Sequence, residues 1–112
     1  RSVSRGLGDV YKRQEDYLMY LPEYEEPVAL LYLDTQNTFV NVYGVFVDEK
    51  LRGKGIGTCL MKHFLKDYFN IASLPLVLNV TSNNMAAVAL YKKCGFAEAS
   101  RIEYHYINCS DN

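Results

Sequence analysis

No apolar run in the sequence approaches the roughly 20 residues needed to cross a bilayer, so a membrane-spanning helix is excluded. Cysteine is scarce. Cys59, Cys94 and Cys109 are an odd number, far apart and without ligand-like spacing to His63 or His105. Neither a disulfide framework nor a metal site is therefore expected, and a reducing cytoplasm is the expected localisation. Neither charge sign dominates: 12 Lys and Arg face 13 Asp and Glu, a net charge of −1 over 112 residues. That balance argues neither for nor against nucleic acid. With 49% hydrophobic and 22% charged residues, a disordered chain and a collagen-like repeat are also excluded. The length allows one small domain or part of a larger one.

Residues 1–14 differ from the rest. They carry Arg1, Arg5, Lys12 and Arg13 against the single acid Asp9, with no helical or strand periodicity. There is no initiator Met and no apolar signal-peptide core. A flexible basic tail and an Arg/Ser-rich presequence are two readings. A third is preferred: Asp9-Val10-Tyr11-Lys12-Arg13-Gln14 is similar to one reading frame of a common transposon-end sequencing adapter. Residues 1–14 are expected to be a non-native leader and 15–112 the domain. Setting the leader aside leaves an acidic chain, against which Lys50 to Lys66 holds five basic residues and no acid. A positive segment in an acidic domain suggests a bound anion, with a solvated helix face as the alternative.

Val28 to Leu33 is a short apolar run suited to a buried strand, and Asp34 to Thr38 is a polar turn. Phe39 to Val47 follows as a second strand, so the pair predicts an antiparallel hairpin. Gly44 marks a bulge or a close backbone approach within it. Tyr17 to Tyr20 is a possible strand remnant. From Gly55 the period changes to helical. Ile56, Leu60, Phe64 and Tyr68 form one apolar row and Met61 and Leu65 the next, opposite Thr58, Lys62, Lys66 and Asn70. Leu76 to Val80 predicts a third strand. Ser82-Asn83-Asn84 offers cap chemistry for a helix over Met85 to Cys94, closed by Gly95. Phe96 to Ile107 is expected to be one final strand, giving the order β-β-α-β-α-β without internal repeats.

Between the second strand and the first helix lies Asp48-Glu-Lys-Leu-Arg52-Gly53-Lys54-Gly55-Ile56-Gly57. Glycines let main-chain N–H groups converge on an anion, and a helix N-terminus offers unsatisfied N–H groups and a positive dipole end. The P-loop and dinucleotide fingerprints both fail on spacing, since these glycines read Gly-x-Gly-x-Gly. A glycine-rich helix entry without a ligand is the alternative.

Arg52-x-x-Gly55-x-Gly57 resembles the acetyl-CoA signature of the GNAT family of N-acetyltransferases. Asn84-x-x-Ala87-x-x-Leu90-Tyr91, followed by Gly95-Phe96, is similar to that family's second motif. The resemblance covers residues 28–107. It implies an α/β (α+β) fold, a mixed, mostly antiparallel sheet flanked by helices. It also implies direct transfer of acetyl from acetyl-CoA, as co-substrate, to a primary amine of a small molecule or protein. Main-chain groups of Phe46 and Val47 would pair with the pantetheine amides. The N–H groups of Arg52, Gly53, Lys54, Gly55, Ile56 and Gly57 would hold the pyrophosphate, and Asn84 would contact the pantetheine arm. Tyr91 would protonate the leaving thiolate, as a phenol with pKa about 10 can at neutral pH. A packed aromatic is the alternative role for Tyr91. A non-catalytic acyl-CoA sensor of the same fold is the alternative function, and an unrelated phosphate-binding module a more distant one.

The general base is not assigned. The second strand has no carboxylate between Asp34 and Asp48, and Asn79 stands where one branch of the family places a Glu. Tyr43, Asn41, a water chain ending at Asp48 or Glu49, or a group from the N-terminal region expected to be missing all remain open. His63 is expected on the exposed side of its helix and His105 in the last strand, both structural or solvated, and Cys94 is expected to be a small buried hydrophobe. Asn79-Val-Thr81 and Asn108-Cys-Ser110 match a glycosylation sequon that a cytoplasmic chain never uses. The family domain begins with a strand, two helices and another strand, for which Glu15 to Pro27 is too short, so an N-terminally truncated fragment is expected. Their lack would expose an apolar sheet face, so the chain is expected either to be marginally stable or to associate through that face, for example as a homodimer; nucleic-acid and membrane partners are not expected.

Overall fold

The computed structural model describes residues 2–4, 8–81 and 83–107. Arg1, Arg5, Ser82, Cys109 and the Asn108-Cys-Ser110 sequon lie outside the described residues. Eight strands form one sheet: β1 (Ser2–Ser4), β2 (Gly8–Lys12), β3 (Asp16–Tyr20), β4 (Ala29–Thr35), β5 (Val40–Val47), β6 (Leu76–Asn79), β7 (Phe96–Glu98) and β8 (Glu103–Tyr106). Their spatial order is β1-β2-β3-β4-β5-β6-β8-β7. Every neighbouring pair is antiparallel except β5 and β6, which run parallel. Helix α1 (Ile56–Ile71) bridges that parallel pair, and α2 (Met85–Lys93) joins β6 to β7. This is the α/β class expected, a mixed and mostly antiparallel sheet with helices.

Two expectations change. Residues 8–12, read as aperiodic, form a strand with Val10 opposite Met19. Val10 is buried between half-buried Asp9 and exposed Tyr11, a period of two too short to stand out beside the glycines and basic residues. The turn into β3 is held by Arg13, whose Nε and Nη2 donate to Asp16 at 2.8 and 2.7 Å. The segment from Phe96 onward is a hairpin and not one strand. Ala99 and Ser100 N–H groups both donate to the Glu103 carbonyl and turn the chain. The small and polar residues 99–101 break the apolar alternation there, and β8 is thereby paired on both edges.

The β4–β5 hairpin forms as expected, with its irregularity at Gly44. Tyr32 faces Gly44 but Leu33 faces Val42, so Tyr43 is an extra residue on β5. Gly44 has φ +117°, a conformation that L side chains rarely adopt.

The helical period of α1 is realised as read. Ile56, Gly57, Leu60, Met61, Phe64, Leu65 and Tyr68 are buried, while Lys62, Lys66 and Asn70 are exposed. They pack on Tyr17, Met19, Leu31, Val42, Leu76 and Leu78, the alternating inward residues of β3 to β6. Tyr68 Oη donates to the Leu74 carbonyl at 2.9 Å and fixes the exit toward β6. Tyr17 Oη donates to Asp67 at 2.7 Å, and the His63 ring lies edge-on to Tyr17, so His63 is half-buried where an exposed face was expected. Cys94 is buried, as expected of a small hydrophobe. The opposite face of the sheet leaves Tyr32, Tyr43 and Phe46 exposed. Among the described residues, no helix is long and apolar enough to cross a membrane.

Candidate active site

Strands β5 and β6 pair only from Val40–Leu76 to Val42–Leu78 and then diverge. Residues 43–47 therefore have no strand partner on that side. The gap, bordered by α2 and the start of α1, is a cleft of about 760 Å³. Phe46, Val47, Arg52, Gly53, Gly55, Ile56, Gly57, Asn84 and Tyr91 line it, joined by Tyr43, Val45, Asn79 and Leu90. Of the expected cofactor residues, Lys54 alone does not line the cleft. It is exposed, like its neighbours Gly53 and Gly55.

The three glycines act for different reasons. Gly53 and Gly55 have φ +80° and +82°, and a Cβ on either would meet open space. They are glycine for their backbone conformation. Gly57 is glycine for room: a Cβ would lie 3.1 Å from Leu90 Cδ1 and 3.3 Å from Val47 Cγ2. Gly55 is the N-cap of α1, no side chain caps this end, and its first turn holds no acid. Among the described residues, the N–H groups of Ile56, Gly57 and Thr58 find no acceptor; the first helical bond is Cys59 N–H to the Gly55 carbonyl at 3.0 Å. An open, uncapped helix end beside Arg52 is chemically a seat for a phosphate oxyanion.

Strand alternation decides which main-chain groups face the cleft. Asp48 N–H donates to the Val28 carbonyl, so the even-numbered residues at this end of β5 bond to β4. Phe46 thus spends its main-chain groups on β4 and offers the cleft only its side chain. Val45 and Val47 are the residues whose N–H and C=O point to the open edge. Two contacts agree: the Val45 N–H donates to Tyr91 Oη at 3.2 Å, and Arg52 Nε donates to the Val47 carbonyl at 3.1 Å. Val45 was not singled out from the sequence, because its importance depends on the phase of the bulge.

Tyr91 is buried on α2, its ring edge-on to Phe96. A Cβ on Gly44 would sit 2.7 Å from its hydroxyl oxygen. Burial pushes the phenol above the ordinary tyrosine range, opposed by the Val45 N–H and reinforced by Cys94. The hydroxyl therefore stays protonated at neutral pH, with its oxygen occupied as acceptor and its proton free to be given. Asn84 is the N-cap of α2, its Oδ1 accepting from Ala87 N–H at 3.3 Å, which leaves its amide NH₂ for the cleft. Gly95, at φ +109°, closes the same helix as expected.

The base candidates separate. Asp48 accepts from Lys50 N–H at 2.9 Å and lies four residues past Gly44, about 13 Å along the chain at ~3.3 Å per residue, with Glu49 one residue further on. Asn79 lines the cleft but carries no basic group. Tyr43 also lines it, and its Oη donates to Asp34 Oδ2 at 3.3 Å. His105 pairs with Glu103 at 3.0 Å on β8, outside the cleft lining. Among the described residues, no group of three or more His, Cys, Asp or Glu could hold a metal.

The profile of the acetyltransferase (GNAT) family matches residues 5–96. The chain is 32% identical over 108 residues to the peptidyl-lysine N-acetyltransferase YjaB of Salmonella typhimurium, covering 87% of this chain and 68% of that protein. It is 27% identical over 92 residues to the spermine/spermidine N(1)-acetyltransferase of Bacillus subtilis, covering 80% of this chain and 56% of that one. It thus spans from about half to two thirds of these relatives' lengths. The crystal structure of the Escherichia coli ribosomal-protein-S18-alanine N-acetyltransferase superposes with a TM-score of 0.68 at 20% identity, over 84% of this chain and 68% of that one.

Proposed function

The chain belongs to the GNAT acetyltransferase family, and from that premise we propose that it transfers acetyl from acetyl-CoA directly to a primary amine of a small molecule or protein. The observation that carries this reading is the uncapped start of α1, opening on the same cleft as the unpaired edge of β5 and the Tyr91 hydroxyl.

The geometry supports the following roles. The diphosphate lies against the N–H groups of Gly53, Gly55, Ile56 and Gly57, with Arg52 adding a full charge. The pantetheine arm adds to β5 as a further strand, through Val45 and Val47. The Asn84 amide reaches the arm from the other wall. The amine attacks the thioester carbonyl, the C–S bond breaks, and Tyr91 gives its proton to the departing sulfur. The relatives above are named for peptidyl-lysine and polyamine acceptors, and both present an alkylammonium. We propose an acceptor of that chemistry, acting in the cytoplasm. A sensor that binds acyl-CoA without transfer is not favoured, since the relatives named are transferases.

Isothermal titration with CoA, beside thiol-release kinetics on lysine peptides and spermidine, tests the reading. CoA binding together with thiol release is expected; binding without release would favour the sensor. We also propose that residues 1–14 are a non-native leader, on the adapter-like run from Asp9 to Gln14. Sequencing genomic DNA across that junction tests it: the same codons there would refute the proposal.

A further inference from the structure

We propose that Tyr43 and Asp34 form the acceptor-side proton relay, a deeper reading of the same site that rests on the acetyl-transfer function above. The thioester is attacked by a neutral amine, whereas an alkylammonium with pKa about 10.4 is nearly all protonated at neutral pH. A proton must leave on the acceptor side. Among the described residues, the cleft lining contains no Asp, Glu or His. Its two phenols are Tyr43 and Tyr91. Tyr91 Oη is already an acceptor for the Val45 N–H and serves as the acid. Tyr43 is the lining residue that reaches a carboxylate, through its 3.3 Å bond to Asp34 Oδ2.

The bulge makes this possible. Tyr43 is the unpaired residue of β5, adjacent to Gly44, which fronts the Tyr91 hydroxyl. Asp34 lies on the neighbouring strand, opposite Asn41. Gln36 Nε2 donates to the same Asp34 oxygen at 2.7 Å and holds the carboxylate toward Tyr43. The proton balance closes. Tyr43 Oη takes one proton from the ammonium as its own passes to Asp34. The freed lone pair forms the N–C bond and the C–S bond breaks. The sulfur takes the Tyr91 proton, the second N–H proton of the adduct restores Tyr91, and Asp34 returns its proton to solvent. Tyr43 is the catalytic group, and Asp34 positions it and receives the charge.

The test compares two small primary amines, propylamine, an ammonium at pH 7, and aminoacetonitrile, already neutral there. In wild type, Tyr43→Phe and Asp34→Asn, thiol release is measured under saturating acetyl-CoA, with circular dichroism checking that each folds. Both variants should lower kcat/KM for propylamine on the order of 10²-fold. With aminoacetonitrile the loss should shrink to under about threefold, and Asp34→Glu should recover part of the propylamine rate. Equal losses for the two amines, or no loss for either, would overturn the relay. A wild-type chain that binds CoA yet releases thiol with neither amine would overturn the acetyl-transfer reading itself, and the relay with it.

Discussion

Gly44 and Tyr91 define each other's position: the Tyr91 hydroxyl occupies the space that a side chain on Gly44 would fill. A Cβ there would lie 2.7 Å from the phenol oxygen, while the next ring atom, Cζ, is 3.8 Å away. Gly44 also has φ +117°, so alanine there carries both backbone strain and a collision. The bulge on β5 and the Tyr91 phenol on α2 are therefore one construction.

Gly44→Ala is expected to destabilise the fold by roughly 1–3 kcal/mol and to lower kcat by displacing the hydroxyl. Introducing Tyr91→Phe as well should relieve the collision and leave only the backbone strain. A double-mutant cycle in melting temperature measures this; strictly additive effects would mean the two residues do not interact.

Tyr91→Phe alone should lower kcat on the order of 10²-fold while leaving CoA affinity nearly unchanged, because it removes a proton and not a contact with the diphosphate. Steady-state kinetics beside calorimetry separates the two. An equal loss of both would assign Tyr91 to packing.

The sheet and both helices are largely legible in the sequence, and the reasons are physical. The row Ile56, Leu60, Phe64, Tyr68 survives intact because every member packs on a sheet face. The glycine loop is legible because left-handed backbone at Gly53 and Gly55 leaves few other residues possible. The roles of Val45 and Phe46 are not, since a single extra residue at Tyr43 decides which of them faces the cleft, and sequence spacing does not reveal that phase. Strand β2 is hidden for another reason: its one buried anchor, Val10, makes no pattern until β3 is placed beside it.

Alkaline pH should unfold the domain cooperatively. Tyr17, Tyr68 and Tyr91 all have phenols raised above the ordinary value of about 10, in each case first by burial. Stability from groups raised in the folded state is complete below that value and is lost as pH rises through the folded ones. Thermal melts across the alkaline range should show this fall, and Tyr17→Phe should make it shallower. An unchanged alkaline limb in that variant would contradict the assignment.

The acid limb has its own marker. The Arg13 hydrogen bonds hold Asp16 below the usual carboxylate value, so its contribution is present above that value and disappears as pH falls through the folded one. Arg13→Ala should raise the Asp16 titration in carboxyl-detected NMR; an unmoved Asp16 would show that the turn pairing is not maintained in solution.

The anion seat should respond to backbone as well as charge. Gly55→Ala, placed in open space but at φ +82°, is expected to cost about 1–2 kcal/mol of loop conformation and to weaken CoA binding. Arg52→Glu should weaken CoA more strongly by reversing the charge beside the diphosphate. Calorimetry checks both; an unchanged CoA affinity in Arg52→Glu would remove that residue from the site.

The most direct test follows the amide protons of α1 by NMR while the ¹⁵N-labelled chain is titrated with CoA and, separately, with pantetheine, which lacks the diphosphate. The account predicts that CoA moves the amides of Gly53, Gly55, Ile56 and Gly57 most, and that pantetheine leaves them in place. CoA binding that leaves those four amides unmoved would contradict it.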